Sequence, residues 1–257
     1  MALVTVNRMV LALTLIIALG VQLLPIRGFI TLVRLGYGVG KNIQPITDFP
    51  YSCRRIEHPL LQACEDMWLS EPTRKLYLAC SDSHTRLQWF PSVDHYNLNG
   101  RGRGDALVEL DVDQPGLLTG SEAITAQKLE TLGYSGTAGD EMLSLNGFTG
   151  IDLEGGGIRL LVVNNRPAID PATGSYAEDQ AAAGVNATVE VFERKGQQAT
   201  KPYLSHKLTV ADPLISTPNR VAEFGDIGFY ITNDHGKIKT GTVSAHGDYL
   251  VQTFASC

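Results

Sequence analysis

The 257 residues predict an all-β fold assembled from repeated hairpins and preceded by one apolar N-terminal helix. Two observations carry this reading. The first is a stretch, Glu65 to Cys80 (EDMWLSEPTRKLYLAC), that returns as Gly150 to Asn165 (GIDLEGGGIRLLVVNN) and Asn219 to Asp234 (NRVAEFGDIGFYITND). Each copy opens on polar or glycine residues and a part-apolar run, then reverses through SEPTRK, EGGG or FGD. It closes in an apolar strand that ends on Cys80, Asn165 or Asp234. Those turn residues suit a tight reversal between antiparallel strands. The second observation is a long apolar run between Arg8 and Arg27. Three copies of one hairpin point to a radial or stacked β architecture. The copies start 85 and 69 residues apart. A four-stranded propeller blade takes about 40–50 residues, so insertions are expected between the hairpins.

Composition sets the bounds. An apolar fraction of 44% is that of an ordinary globular chain. The net charge of −6, with no Lys/Arg cluster, argues against nucleic acid and leaves a metal cation open as a partner. The cysteines at 53, 64, 80 and 257 form no CxxC pair, which argues against zinc. They are compatible with disulfides in an oxidising compartment, with the pairing left open.

Taken in order, residues 1–41 read as a signal anchor or signal peptide plus linker. Between Arg8 and Arg27 lie 18 residues, of which only Gln22 is strongly polar. That length is just enough to span a bilayer as a helix. Ala18 and Gly20 offer a cleavage site for the competing signal-peptide reading. The run continues through Val21, Leu23 and Leu24, which favours an uncleaved anchor. Either way the chain enters the secretory pathway, membrane-anchored or secreted. Gly36, Gly38 and Gly40 before Lys41 lack phosphate-loop spacing and read as a flexible linker.

Residues 42–257 read as the β part. Pro45, Pro50 and Pro59 mark an extended approach. Arg86 to Phe90 (RLQWF) is placed as the strand after the first hairpin. Ala106 to Val112 (ALVELDV) alternates with period two, as a half-buried strand does. The alternation also explains Asp111 and Asp113 as a solvated strand end rather than a metal motif. Ser121 to Leu132 (SEAITAQKLETL) reads as a short amphipathic helix or an irregular insertion. Ala187 to Glu193 and Tyr203 to Val210 are strands. Asn186-Ala187-Thr188 is a glycosylation sequon if that face is lumenal. After Asp234 only DYLVQTF suggests one more strand.

Few residues announce chemistry. Gly133-Tyr134-Ser135-Gly136 does not fit a nucleophile elbow, and Arg103-Gly104-Asp105 reads as a glycine-rich turn. The six histidines show no HExxH and no close pairing. At the hairpin starts, Glu65, Asp66 and Asn219 are hard oxygen donors of the kind calcium gathers six to eight at a time. Capping of local turns is the plainer role for the same residues.

The motifs IEHPLLQACEDMWLSEPTRKLYLACS, FTGIDLEGGGIRLLVVNNRP, ATVEVFERK, SHKL, PNRVA and FYITNDH, in that order, resemble the first three blades of the paraoxonase/arylesterase family. The similarity runs from about residue 50 to 236. It implies a six-bladed type of β-propeller around two calcium ions, related to the gluconolactonase-type enzymes, that hydrolyses lactones, aryl esters and some organophosphates. At 257 residues about three blades fit, so the expected fold is a partial, about three-bladed propeller whose ring does not close. By the resemblance, Glu65 and Asn219 match ligands of the catalytic calcium. Asp66 and the backbone carbonyl of Ile151 match ligands of the structural calcium, and Cys53 matches a cysteine bridged to one near the C-terminus.

The chain also departs from the pattern. The family's two water-activating histidines fall at Thr149 and Asn165, and its Asp after Asn219 is Arg220. The later blades, with the remaining calcium ligands, are absent. Two functions are therefore expected. One is a calcium-dependent ester or lactone hydrolase, or an inactive fragment of one. The other is a non-enzymatic, membrane-tethered, propeller-like binding module.

Overall fold

In the computed structural model of the chain, the residues described are 2–23, 26–51, 53–119, 123–196, 202–225, 228–234 and 251–255. They divide into two units, Met1–Arg55 and Ile56–Cys257. Strand accounts for 38% of the chain and helix for 21%, with most of the helix before residue 36.

The N-terminal unit corrects one expectation. The sequence predicts a single apolar helix, but the described residues form two, α1 (Ala2–Leu23) and α2 (Ile26–Leu35). Among the described residues no helix is long and apolar enough to cross a membrane. The sequence places Pro25 between them, and proline lacks the N–H that a continuous helix would use there. Both helices present apolar side chains to solvent, including Leu11, Ile16 and Leu19 on α1 and Phe29, Leu32 and Leu35 on α2.

The second unit is built from antiparallel meanders. The first sheet runs β1 (Asp66–Ser70), β2 (Lys75–Cys80), β5 (Ala106–Asp111) and β6 (Ala126–Lys128). Between β2 and β5 lie the short helix α3 (Ser83–Arg86) and a two-residue ladder, β3 (Trp89–Phe90) with β4 (His95–Tyr96). The second sheet orders as β7 (Glu130–Leu132), β11 (Tyr203–Val210), β10 (Asn186–Arg194), β9 (Gly157–Arg166) and β8 (Leu145–Leu153). The third holds β12 (Pro218–Phe224), β13 (Gly228–Asn233) and β14 (Val251–Ala255). All the sheets are open, and no closed propeller forms among the described residues.

The three repeated hairpins are β1–β2, β8–β9 and β12–β13. The middle one turns through Gly155 and Gly156, both at positive φ. Two sequence placements need correction. RLQWF does not extend the first sheet, because Asp82 caps α3 by accepting from the amides of His84 and Thr85. The 121–132 stretch supplies strands β6 and β7 rather than a helix. β6 pairs with β5, and β7 pairs in parallel with β11, so tertiary pairing overrides a weak amphipathic pattern.

The core lies between the sheets. Alternate residues of β9 feed both sides: Ile158, Leu160 and Val162 pack toward the first sheet with Tyr77, Ala79 and Leu107. Leu161 and Val163 pack toward the third with Val221, Phe229 and Ile231. A strand buried on both faces reads as a continuous apolar run, as LLVV from Leu160 to Val163 does. The outer face of the first sheet carries Leu78, Cys80, Ala106, Val108 and Leu110, covered by Leu60, Leu61, Cys64, Leu117 and Ile124. A disulfide between Cys64 and Cys80 fastens that cover to β2.

Candidate functional site

The opening strands of the three hairpins lie side by side, with β8 in contact with both β1 and β12. Their approach is close because β8 carries glycine at both crossings. A Cβ on Gly150 would stand 2.2 Å from the Trp68 ring of β1. One on Gly147 would stand 2.4 Å from the Asn219 carbonyl oxygen of β12. Both are distances that real Cβ atoms do not reach, so the sequence keeps these strands in register through two missing side chains.

This crossing brings the sequence-predicted donors near one another, and a guanidinium occupies each carboxylate. Glu65 Oε2 accepts from Arg86 Nη2 at 2.6 Å. The same guanidinium donates through Nη1 to Ser81 Oγ at 2.9 Å and to the Leu145 carbonyl at 3.1 Å. It also lies 3.9 Å from the centre of the Phe90 ring, a cation–π contact. Asp66 Oδ1 pairs with Arg220 Nη2 at 3.1 Å. Its Oδ2 accepts from the Phe148 amide at 3.2 Å, and Oδ1 from the Met67 amide at 2.9 Å. Asp66 therefore ties β1 to β8 and β12.

The remaining positions fall as follows. Asn219 is exposed. Ile151 is part-buried among the apolar residues between the second and third sheets. Thr149 lies opposite Leu161, while Asn165 lies at the other end of the ladder, one residue past the Leu145–Asn164 pair. The two positions are thus not brought together, and neither side chain titrates as an imidazole does. Asn165 is buried with no partner for its side-chain amide, although its carbonyl accepts from Trp89 Nε1 at 3.0 Å.

Calcium gathers six to eight oxygens. Among the described residues there is no group of three or more acidic, histidine or cysteine side chains that could hold a metal. Protein cations already neutralise Glu65 and Asp66, and Asp66 spends both oxygens on amides and a guanidinium. This arrangement does not suit calcium.

Other sequence readings resolve plainly. Cys53 is exposed and unbridged, while the disulfide joins Cys64 and Cys80; Cys257 lies outside the described residues. Asp105 of the Arg-Gly-Asp triplet accepts from the Leu145 amide at 2.7 Å, and burial pushes its carboxyl above the usual range. Its side chain thus faces inward. Asn186 opens β10, and the sequon's Thr188 is buried, donating to Glu190 Oε1 at 2.6 Å.

Sequence reasoning missed Arg86, which stands 21 residues from Glu65 on a one-turn helix with no motif around it. It also missed the cluster around Glu190. This fully buried carboxylate accepts from Thr188, Thr209 and Asn164 and contacts His206 Nε2 at 3.0 Å. Glu190, set between two valines in ATVEVFE, was the available signal. The network engages both oxygens of the carboxylate and braces β9, β10 and β11 from within.

No protein-family model matches the chain, and no curated protein matches it. The likeness to the paraoxonase/arylesterase family rests on short motifs alone.

Proposed function

We propose that this chain is a catalytically silent relative of the paraoxonase/arylesterase propellers. It would be an incomplete, about three-bladed propeller acting as a membrane-tethered binding module of the secretory pathway. The observation that carries the reading is the pairing of Glu65 with Arg86 and of Asp66 with Arg220, at 2.6 Å and 3.1 Å. Two guanidinium groups take the positions in the charge balance that the family gives to two calcium ions. The loss of both water-activating histidines supports it, since general-base help of that kind is worth about 10²–10⁴-fold.

The blade reading is supported by the three first strands lying side by side, each opening its own meander. The tether is supported by the exposed apolar side chains of α1 and α2, which suit a lipid surface. The Cys64–Cys80 disulfide accords with an oxidising compartment. Glycosylation at Asn186, read as a mobility shift removed by a glycosidase, tests that assignment in a secretory host.

The deciding assay is hydrolysis of phenyl acetate and a simple lactone by the full chain, first with calcium and then with a chelator. The proposal expects no chelator-sensitive turnover. Robust turnover, abolished by chelator and by Glu65→Gln, would overturn it and establish a calcium-dependent hydrolase.

A further inference from the structure

A cleft of about 270 Å³ opens between the second and third sheets, at Gly225 and Gly228 and away from Asn219. Its walls are Ile151, Leu161, Val191, Leu208, Val210 and Phe229. These side chains belong to the inter-sheet core, yet here the core does not close: Ile151, Val191 and Val210 are only partly buried, and Leu208 is 47% exposed. Three charged residues stand among them: Arg159, Glu193 and Lys207. Arg159 Nη2 and Glu193 Oε1 pair at 2.7 Å and cancel. Lys207 is exposed and leaves the cleft with a net positive charge.

Lys207 owes its position to a break in the ladder. Val191 pairs with Leu208, whereas the next residue, Phe192, pairs with His206, so Lys207 is the extra residue of a β-bulge. Regular alternation from His206 would place Lys207 and Leu208 on opposite faces. A bulge re-aims a side chain, and such bulges recur beside functional sites. Here it puts an ammonium and the Leu208 side chain on the same cleft.

We propose that this cleft binds a medium-chain aliphatic carboxylate of about eight carbons, with its tail against the apolar walls and its carboxylate on Lys207. The volume sits just below the range of about 300–1,000 Å³ common for ligand pockets, which restricts the tail to one of medium length. A neutral ligand would leave the ammonium unanswered. A multiply charged anion would meet the Glu193 carboxylate, which lines the same wall on the neighbouring strand β10. The site is separate from Glu65 and Asp66, so the inference stands whether or not the chain is catalytic.

The test is calorimetric titration of the full chain with octanoate and, separately, octanol, alongside methyl NMR of labelled Ile, Leu and Val. Octanoate should bind one to one and shift the methyl signals of Ile151, Leu161, Val191 and Val210. Lys207→Met keeps the aliphatic stem and removes the charge, so it should weaken octanoate by at least about tenfold. The same change should leave octanol unaltered, and Lys207→Arg should retain octanoate binding. Val191→Phe should fill the cleft and abolish both. Lys207 is exposed, so its variants keep the test decisive even where Val191→Phe fails to fold. Absence of octanoate binding, equal affinity for octanol, or full affinity in Lys207→Met would each overturn the proposal.

Discussion

Removing the Asp66 carboxylate separates a structural role for the hairpin-start acids from a metal-binding one. In Asp66→Ala the Phe148 amide loses its acceptor at 3.2 Å, and Phe148 is 1% exposed. A buried donor left without a partner costs about 1–3 kcal/mol. The lost ion pair adds little, because Arg220 is 65% exposed and such pairs contribute about 0–1 kcal/mol. The sum centres on about 2 kcal/mol, and for a domain of this size each kcal/mol moves Tm by about 2–4 °C. Asp66→Ala should therefore melt about 4–8 °C below the parent, and Arg220→Ala no more than about 2–4 °C below it. Adding calcium or a chelator should leave all three curves in place. Thermal unfolding followed by circular dichroism, with urea titration as a check on cooperativity, gives the measurement. If chelator lowers the parent's Tm to that of Asp66→Ala, the carboxylate holds a metal and the reasoning fails. It fails equally if Arg220→Ala costs as much as Asp66→Ala.

Three further outcomes are expected. Gly150→Ala puts a methyl 2.2 Å from the Trp68 ring and should cost about 1–3 kcal/mol by overpacking, with Trp68→Leu restoring part of it in urea titrations. Cys80→Ser opens a loop of 16 residues and should cost about 3 kcal/mol; reducing agent should lower the parent's Tm comparably and leave the variant's unchanged. Burial alone would raise the Asp140 carboxyl, but the Met142 amide, Arg101 and the Tyr176 hydroxyl outweigh it and hold the group below the usual range. A depressed folded-state value stabilises fully above the unfolded value of about 3.9 and is lost as pH falls through the folded one. Acid titration of unfolding free energy should therefore decline below about pH 4, and Asp140→Asn should flatten that decline.

The hairpins were legible because turn chemistry and apolar closing strands are local signals. Ala106 to Val112 was legible because period two survives without knowledge of neighbours, and Ala187 to Glu193 and Tyr203 to Val210 because their β-branched and aromatic residues are a local signal too. What escaped was set by tertiary contact. The 121–132 stretch has too few apolar residues to declare a period, and the strands it offers to β5 and β11 decide its form. The Cys64–Cys80 bridge was latent in the first hairpin: once Asp66 lies opposite Ala79, Cys64 falls beside Cys80. The sequence named Glu65, Asp66, Asn219 and Arg220, and Asp66 and Arg220 do meet. It could not show that cations of the chain itself would sit on both acids, because Arg86 reaches Glu65 across a fold rather than along a motif.

The cover over the first sheet gives the β unit polarity. At that end Leu60, Leu61, Cys64, Leu117 and Ile124 seal the apolar face. At the other, among the described residues, Phe224 is 53% exposed and rests its ring on Tyr230, on the face of the third sheet turned away from the core. A stack of sheets with one sealed terminus can be extended in one direction only. Two copies meeting through their third sheets would cover the face that is open among the described residues, so growth by stacking through it would end at a pair. The seal thus does for this arc what a terminal repeat does for a solenoid: it sets where addition stops.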